Sequence, residues 1–125
     1  FDEDYYIFDA DDASRAFDTT NEDLILFGHT HVQIAFRQAT ERGRHVVTPL
    51  DADMVGARGP TRSLVNPGSV GQPRDGDPRA AYGLLDTEIG TLQLRRVAYD
   101  ISEAQRRIRA AGLHPHLAER LSVGR

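Results

Sequence analysis

The feature that most constrains the fold is an apolar run, Asp23-Leu24-Ile25-Leu26-Phe27, that leads directly into Gly28-His29-Thr30-His31. A short continuous apolar run closed by glycine is typical of a strand that is covered on both faces in a layered α/β fold. On an extended backbone the side-chain direction repeats every second residue, so both imidazoles are predicted to face the same side. Gly28 is predicted to keep the turn tight.

A second motif narrows the interpretation of the two histidines. A bare His-x-His triplet is more often an exposed pair than a pair of metal ligands, but here a predicted strand also ends in Asn66-Pro67-Gly68-Ser69. Two metal ions in a phosphate-hydrolysing site lie about 3.5 to 4 Å apart, and neighbouring imidazoles can each bind one of them. The chain has no cysteine, so any metal must be held by nitrogen and oxygen ligands. Metal binding is therefore the favoured interpretation.

Length and composition exclude several classes of protein. The 125 residues, 39% of them hydrophobic and 27% charged, predict one soluble globular domain. The net charge is -4 and all fifteen basic residues are arginine, so no nucleic-acid footprint is indicated. No apolar run reaches the ~18 residues of a membrane span and no signal peptide is present, so we expect a cytoplasmic protein. The chain begins at Phe1 and its only methionine is Met54, which predicts a piece of a longer protein.

The first half of the chain is predicted to contain one helix and several strands. Residues 11–17 favour a short peripheral helix begun by an Asp cap. Residues 32–36 and 44–47 favour a hairpin around Glu41-Arg42-Gly43. Residues 49–62 have the Gly, Pro and mixed charges of a surface loop, which we interpret as an insertion.

The second half is predicted to contain one strand, a hairpin and two helices. Asp100, with Glu103 three residues later, is typical of a helix start, and Gly112 of a helix end. The predicted segments are a strand at 63–65, a loop at 72–79, a hairpin of 80–86 with 91–98, a helix from Asp100 to Gly112, and a short helix starting at Pro115.

The two motifs resemble the calcineurin-like metallophosphoesterases, particularly the small bacterial members. In that group Gly-His-Thr-His is followed by a segment like Leu64-Val65-Asn66-Pro67-Gly68-Ser69-Val70-Gly71-Gln72-Pro73-Arg74, and Asp77-Pro78-Arg79-Ala80-Ala81-Tyr82 and Asp86 fit the same group. The resemblance covers nearly the whole chain. It implies an α/β fold in which residues 1–125 form the C-terminal half of one four-layer α/β/β/α sandwich domain.

The resemblance also implies a chemistry. Members of the family use two divalent transition-metal ions (manganese, iron, nickel or zinc) to activate a bridging hydroxide that attacks a phosphate ester. The family pattern implies that His29 binds the second metal and His31 the first. The substrate would be a small-molecule or protein phosphate ester, either a phosphomonoester or a phosphodiester. Whether the protein forms an oligomer is left undecided by the sequence.

The chain departs from the family pattern in what it lacks. The family's Asp-x-His, Gly-Asp and Gly-Asn-His-Asp or -Glu motifs and a further His do not occur here. The bridging aspartate and the histidine usually taken as leaving-group acid would belong to a missing N-terminal half. We therefore expect no catalytic residue in this chain and no activity from it alone. Residues 49–62 also make the link between the two motifs longer than in the family, and Asp51 and Asp53 within it are left unassigned.

Arg74 and Ser69 are candidate substrate-binding residues. A guanidinium can take two phosphate oxygens, and loops at strand ends commonly bind ligands. The alternatives are that Arg74 pairs with Asp75 or Asp77 and that Ser69 belongs to a plain turn. The other histidines are predicted to lie at an edge strand or on the surface: His45, His114 and His116.

A second function stays open. The chain would then be a non-catalytic truncated domain or a subunit that binds a partner through an exposed sheet edge.

Overall fold

The computed structural model describes residues 6–125, so the start of the chain at Phe1 lies outside the described residues. The helices and strands follow in this order: α1 (Ala10–Phe17), β1 (Leu24–Leu26), β2 (Gln33–Glu41), β3 (Arg44–Leu50), β4 (Met54–Gly56), β5 (Arg62–Pro67), β6 (Ala80–Asp86), β7 (Thr91–Val97), α2 (Ile101–Ala110), α3 (Pro115–Glu119) and a 3₁₀ turn (Arg120–Ser122). No helix of this described part is long and apolar enough to cross a membrane.

The strands form two sheets. The first sheet has the order β1-β5-β2-β3 and the second sheet has the order β4-β7-β6. β1 runs parallel to β5, and the remaining pairs are antiparallel. Two sheets with helices confirm the predicted α/β class.

Two apolar clusters show how the layers pack. One lies between α1 and the first sheet, and its buried members are Ile7, Ala13, Ala16, Phe17, Phe36 and Leu64. The other lies between the two sheets, and its buried members are Ala35, Val55, Val65 and Leu92. Helix α1 was predicted to be peripheral, but Phe17 is only 1% exposed. The helix is therefore a core layer, capped by Asp9, whose side chain accepts from the Asp12 amide at 2.9 Å.

Both predicted hairpins are confirmed, and the first is longer than expected. β2 and β3 pair from Ala35 opposite Leu50 to Glu41 opposite Arg44. Both residues of the turn have positive φ, 50° at Arg42 and 77° at Gly43, which is the geometry that matches the twist of a two-residue hairpin. β6 and β7 pair along their full length.

The surface loop predicted at residues 49–62 is wrong in its central part. Met54–Gly56 form β4, which pairs with β7 at the edge of the second sheet. Val55 in that strand is 1% exposed and packs between the sheets. The segment has one inward-facing side chain among glycines, prolines and charged residues, so it shows no alternation of apolar and polar residues. Its composition therefore did not indicate a strand.

Strand β1 is covered on both faces at its start, as predicted, and is exposed at its end. Ile25 packs against the α1 cluster and Leu24 against the cluster between the sheets. Leu26 is 54% exposed, and β1 is the outermost strand of the first sheet. Among the described residues, Leu26 thus lies exposed on the edge strand of this sheet.

The C-terminal helices begin and end as predicted. The Glu103 amide donates to Asp100 Oδ1 at 2.9 Å at the start of α2. Gly112 follows its end with a φ of 70°, and α3 starts at Pro115.

Candidate functional site

The two motifs meet at one edge of the first sheet. β1 and β5 are parallel neighbours, so the segments that leave their carboxyl ends lie side by side. Asn66, at the end of β5, donates from Nδ2 to Thr30 Oγ1 at 2.9 Å, and both residues are buried. The Asn66 Oδ1 atom accepts from the Gly68 amide at 2.9 Å. One buried amide therefore fixes both motifs against each other.

The backbone at the two histidines differs from the prediction. His29 has a φ of 74° and His31 a φ of 60°, so both are left-handed and neither belongs to an extended segment. A non-glycine residue held in this region costs about 1–3 kcal/mol. Gly28 has no positive φ, and a Cβ built on it would meet nothing within 4 Å. The tight geometry is therefore at the histidines and not at the glycine.

A hydrogen bond determines the tautomer of His31. Its Nδ1 lies 2.9 Å from the backbone carbonyl oxygen of Gln72. A carbonyl oxygen can only accept, so Nδ1 is protonated, and in the neutral ring Nε2 keeps a free lone pair. Metal-binding histidines typically donate their other ring N–H in this way.

Gln72 connects His31 to both candidate substrate-binding residues. Its amide donates to Ser69 Oγ at 2.9 Å. Its side-chain oxygen accepts from Arg74 Nε at 3.1 Å and Nη2 at 2.6 Å. The Arg74 amide in turn donates to the His31 carbonyl at 3.1 Å. The structure therefore brings His31, Ser69 and Arg74 together around a residue that the sequence pattern did not single out.

The predicted alternative for Arg74 is wrong. Asp75 pairs with Arg96 and Asp77 pairs with Arg79, so neither acid is the partner of Arg74. The Arg74 side chain is exposed. Its backbone amide contacts His31, and its guanidinium contacts the Gln72 side chain and has no carboxylate partner among the described residues.

Ser69 has the contacts of a turn residue. Its hydroxyl accepts from the Gln72 amide and its carbonyl accepts from the Ala81 amide at 2.9 Å. These two bonds connect the loop after β5 to the start of β6. A role in substrate binding stays a prediction for Ser69.

His29 is exposed and contacts an aromatic side chain that the sequence did not predict. The Tyr6 and His29 ring centroids lie 4.5 Å apart, with the rings tilted by 38°. Tyr6 also stacks on Phe8, with centroids 5.8 Å apart and an angle of 5°. Tyr6, which precedes α1, therefore reaches the segment that follows β1.

The described residues contain no complete metal-binding cluster, either at His29 and His31 or elsewhere. In residues 6–125, no group of three or more His, Asp or Glu side chains is arranged to hold a metal ion. His45, on β3, lies beside Thr40 of β2, and His114 accepts from the His116 amide at 3.2 Å. Both histidines are exposed, as predicted. A metal ion at His31 would need further ligands from outside this described part.

Known proteins match this chain both in sequence and in fold. The model of the family described as the calcineurin-like phosphoesterase superfamily domain matches residues 3–90. An uncharacterized protein of Methanocaldococcus jannaschii is 37% identical over 107 residues, which cover 82% of this chain and 40% of that protein. The crystal structure of a metallophosphoesterase from Sphaerobacter thermophilus superposes with a TM-score of 0.78 at 34% identity, covering 96% of this chain and 50% of that one. The chain thus spans half or less of the length of these relatives.

Proposed function

This chain belongs to the calcineurin-like phosphoesterase superfamily, and we propose that it supplies one side of a dinuclear metal-dependent site that hydrolyses phosphate esters. The observation that supports this most is the His31 ring, whose Nδ1 is occupied by the Gln72 carbonyl so that Nε2 is free. Histidine nitrogen suits iron, nickel and zinc, whereas manganese prefers oxygen ligands, which would have to come from other residues. We infer that His31 binds one ion and His29 the other.

The bound ions would act as Lewis acids on a phosphoryl oxygen. The chain's own residues orient what approaches them. Gln72 holds the His31 ring in one tautomer, and Arg74, anchored through the same glutamine, offers guanidinium donors to phosphate oxygens. The substrate would be a phosphomonoester or phosphodiester of a small molecule or protein, and a cytoplasmic location stays a prediction.

The remaining ligands are proposed to come from an N-terminal half of the same domain. Residues 1–125 would be the C-terminal part of that domain. This is in line with the share of the two relatives that the chain matches, 40% of one and 50% of the other. Two imidazoles without a carboxylate hold divalent ions poorly. The 125-residue chain alone is therefore expected to be inactive.

The test is hydrolysis of an aryl phosphate and a bis-aryl phosphate, each with added Mn²⁺, by this chain and by the protein extended upstream of Phe1. We expect turnover only from the extended protein, with His29→Ala and His31→Ala each lowering kcat at least about a hundredfold. His45→Ala, a surface histidine on β3, is the matched control and should retain activity. Unchanged turnover in His31→Ala would refute the proposed site.

A second candidate function is a partner-binding module without catalysis. The observation that favours it is the open edge of β1, which among the described residues pairs only with β5 and leaves Leu26 exposed. An edge of this kind is a template for strand addition. Absence of both metal and turnover in the extended protein would favour this function.

A further inference from the structure

The loop between β5 and β6 is fixed by one arginine from the second sheet. Arg96 on β7 binds both carboxylate oxygens of Asp75, with 3.1 Å from Nη1 to Oδ1 and a short contact from Nη2 to Oδ2. Its Nη1 atom also lies 3.3 Å from the Asp77 carbonyl oxygen. Both side chains of the ion pair are only 13% exposed. A bidentate, largely buried pair is a rigid connection between the loop and the sheet.

The same pair reaches the strand that follows His31. The Gln33 amide, two residues after His31, donates to Asp75 Oδ2 at 2.9 Å. Arg96 Nε donates to the Gln33 side-chain oxygen at 3.0 Å. The Gln33 side chain also donates to the Pro67 carbonyl at 3.1 Å. Asp75 and Arg96 therefore connect the loop to the histidine segment through two hydrogen bonds.

The charge state of Asp75 is consistent with this role. Burial tends to raise the pKa of Asp75, but the hydrogen bonds from Arg96 and from the Gln33 amide outweigh it and hold that pKa below its ordinary value of 3.8. The carboxylate is thus charged at neutral pH, and removal of either partner would leave a charged group short of bonds.

We propose that Asp75 and Arg96 are positioning residues for the His31 imidazole. Their ion pair holds residues 72–75 against the segment that follows His31. This contact positions the Gln72 carbonyl, which orients the His31 ring. Gly124 supports the loop from the other side, because its carbonyl accepts from the Gly76 amide at 2.9 Å. The inference rests on the proposed function only for the use of the ring as a metal ligand.

The test reads the His31 tautomer directly. Long-range ¹H–¹⁵N correlation spectra of the ¹⁵N-labelled 125-residue chain report which ring nitrogen is protonated, and His31→Gln assigns the signal. We expect a single Nδ1–H tautomer in the wild type and its loss in Asp75→Asn and in Arg96→Gln. Exchange of the Arg74 amide, which donates to the His31 carbonyl, should accelerate roughly tenfold or more in both variants.

Asp77→Asn is the matched control, because Asp77 lies in the same loop and pairs with exposed Arg79 but has no side-chain bond to Gln33 or Arg96 in the described contacts. It should keep the tautomer and the Arg74 exchange rate. Folding is checked by circular dichroism, with Arg96→Lys as a milder variant that keeps one charged donor. A folded Asp75→Asn chain with the wild-type tautomer would overturn the proposal.

Two further outcomes would also decide it. Unfolding of all three network variants would overturn the proposal, since the pair would then serve the fold as a whole. Metal binding by the upstream-extended protein is probed with Mn²⁺ and Zn²⁺ alone. If the tautomer changes as expected but this protein binds no metal, the positioning role is supported and the proposed function is refuted. Metal binding without tautomer changes would do the reverse.

Discussion

The backbone carbonyl of Gln72 accepts a hydrogen bond from Nδ1 of His31 at 2.9 Å, across 41 positions of the chain. The loop that follows β5 thereby sets the orientation of a ring that follows β1. The bond also determines which ring nitrogen is free. The two sequence motifs are therefore one structural unit, and changes in one are expected to affect the other.

Asn66→Ala should destabilise the chain by about 2–3 kcal/mol, because it removes two hydrogen bonds and leaves the buried Thr30 hydroxyl without its amide donor. The free energy of unfolding in urea measures this. Asn21→Ala, an exposed asparagine before β1, is the matched control and should stay within about 0.5 kcal/mol of the wild type. Equal effects of the two substitutions would contradict the description of the buried amide.

Gly68→Ala should destabilise by about 2 kcal/mol or more. Gly68 has a φ of 88°, and an added Cβ would lie 2.6 Å from the Ala81 Cβ. Gly28→Ala is the contrasting variant, since a Cβ there meets nothing within 4 Å. Thermal unfolding of both should show a lower Tm for Gly68→Ala alone. A lower Tm for Gly28→Ala would restore the original prediction that this turn requires glycine.

Stability should fall at low pH because of the carboxylates in the loop after β5. The Arg79 guanidinium lowers the pKa of Asp77 to about 2, and the pKa of Asp75 also lies below its ordinary value because bonds from Arg96 and Gln33 outweigh the opposing effect of burial. A group with a lower pKa in the folded state stabilises it above the unfolded pKa and loses that contribution as pH falls through the folded pKa.

The free energy of unfolding should therefore decrease between about pH 4 and 2, measured in urea at a series of pH values. Asp77→Asn removes one of the titrating groups and should make this decrease smaller. An identical pH profile in Asp77→Asn and the wild type would contradict the prediction.

Arg74→Ala in the upstream-extended protein should raise KM for an aryl phosphate about tenfold, because a charge-assisted bond to a phosphate oxygen is lost. Arg95→Ala is a close control, since Arg95 binds the Gln93 side chain with its Nε and Nη2 atoms just as Arg74 binds Gln72. Arg95 lies on β7, and its removal should leave KM unchanged. Unaltered kinetics in Arg74→Ala would exclude it as a substrate-binding residue.

Much of the fold was predictable because local chemistry and packing agree. The Arg42-Gly43 turn and the Asp100 cap each specify their element without help from distant residues. The meeting of the two motifs follows from the parallel pairing of β1 with β5, which the structure shows and the sequence analysis did not predict.

What the sequence did not show depends on tertiary contacts. β4 is a strand because Val55 fills space between two sheets, which its own segment cannot reveal. The left-handed backbone at His29 and His31 is visible only in the structure, since non-glycine residues seldom adopt it. The contact of Gln72 with His31 uses a backbone carbonyl, and no side-chain pattern indicates where a loop carbonyl will point.

The central claim is that His29 and His31 bind metal ions. It is tested most directly by the metal content, measured by plasma mass spectrometry, of the upstream-extended protein, its His29→Ala and His31→Ala variants, and a His45→Ala control. The account predicts about two transition-metal ions per chain in the wild type and in the control, and a loss of at least one ion in each of the other variants. Full metal content in His31→Ala, or no bound metal in the wild type, would contradict it.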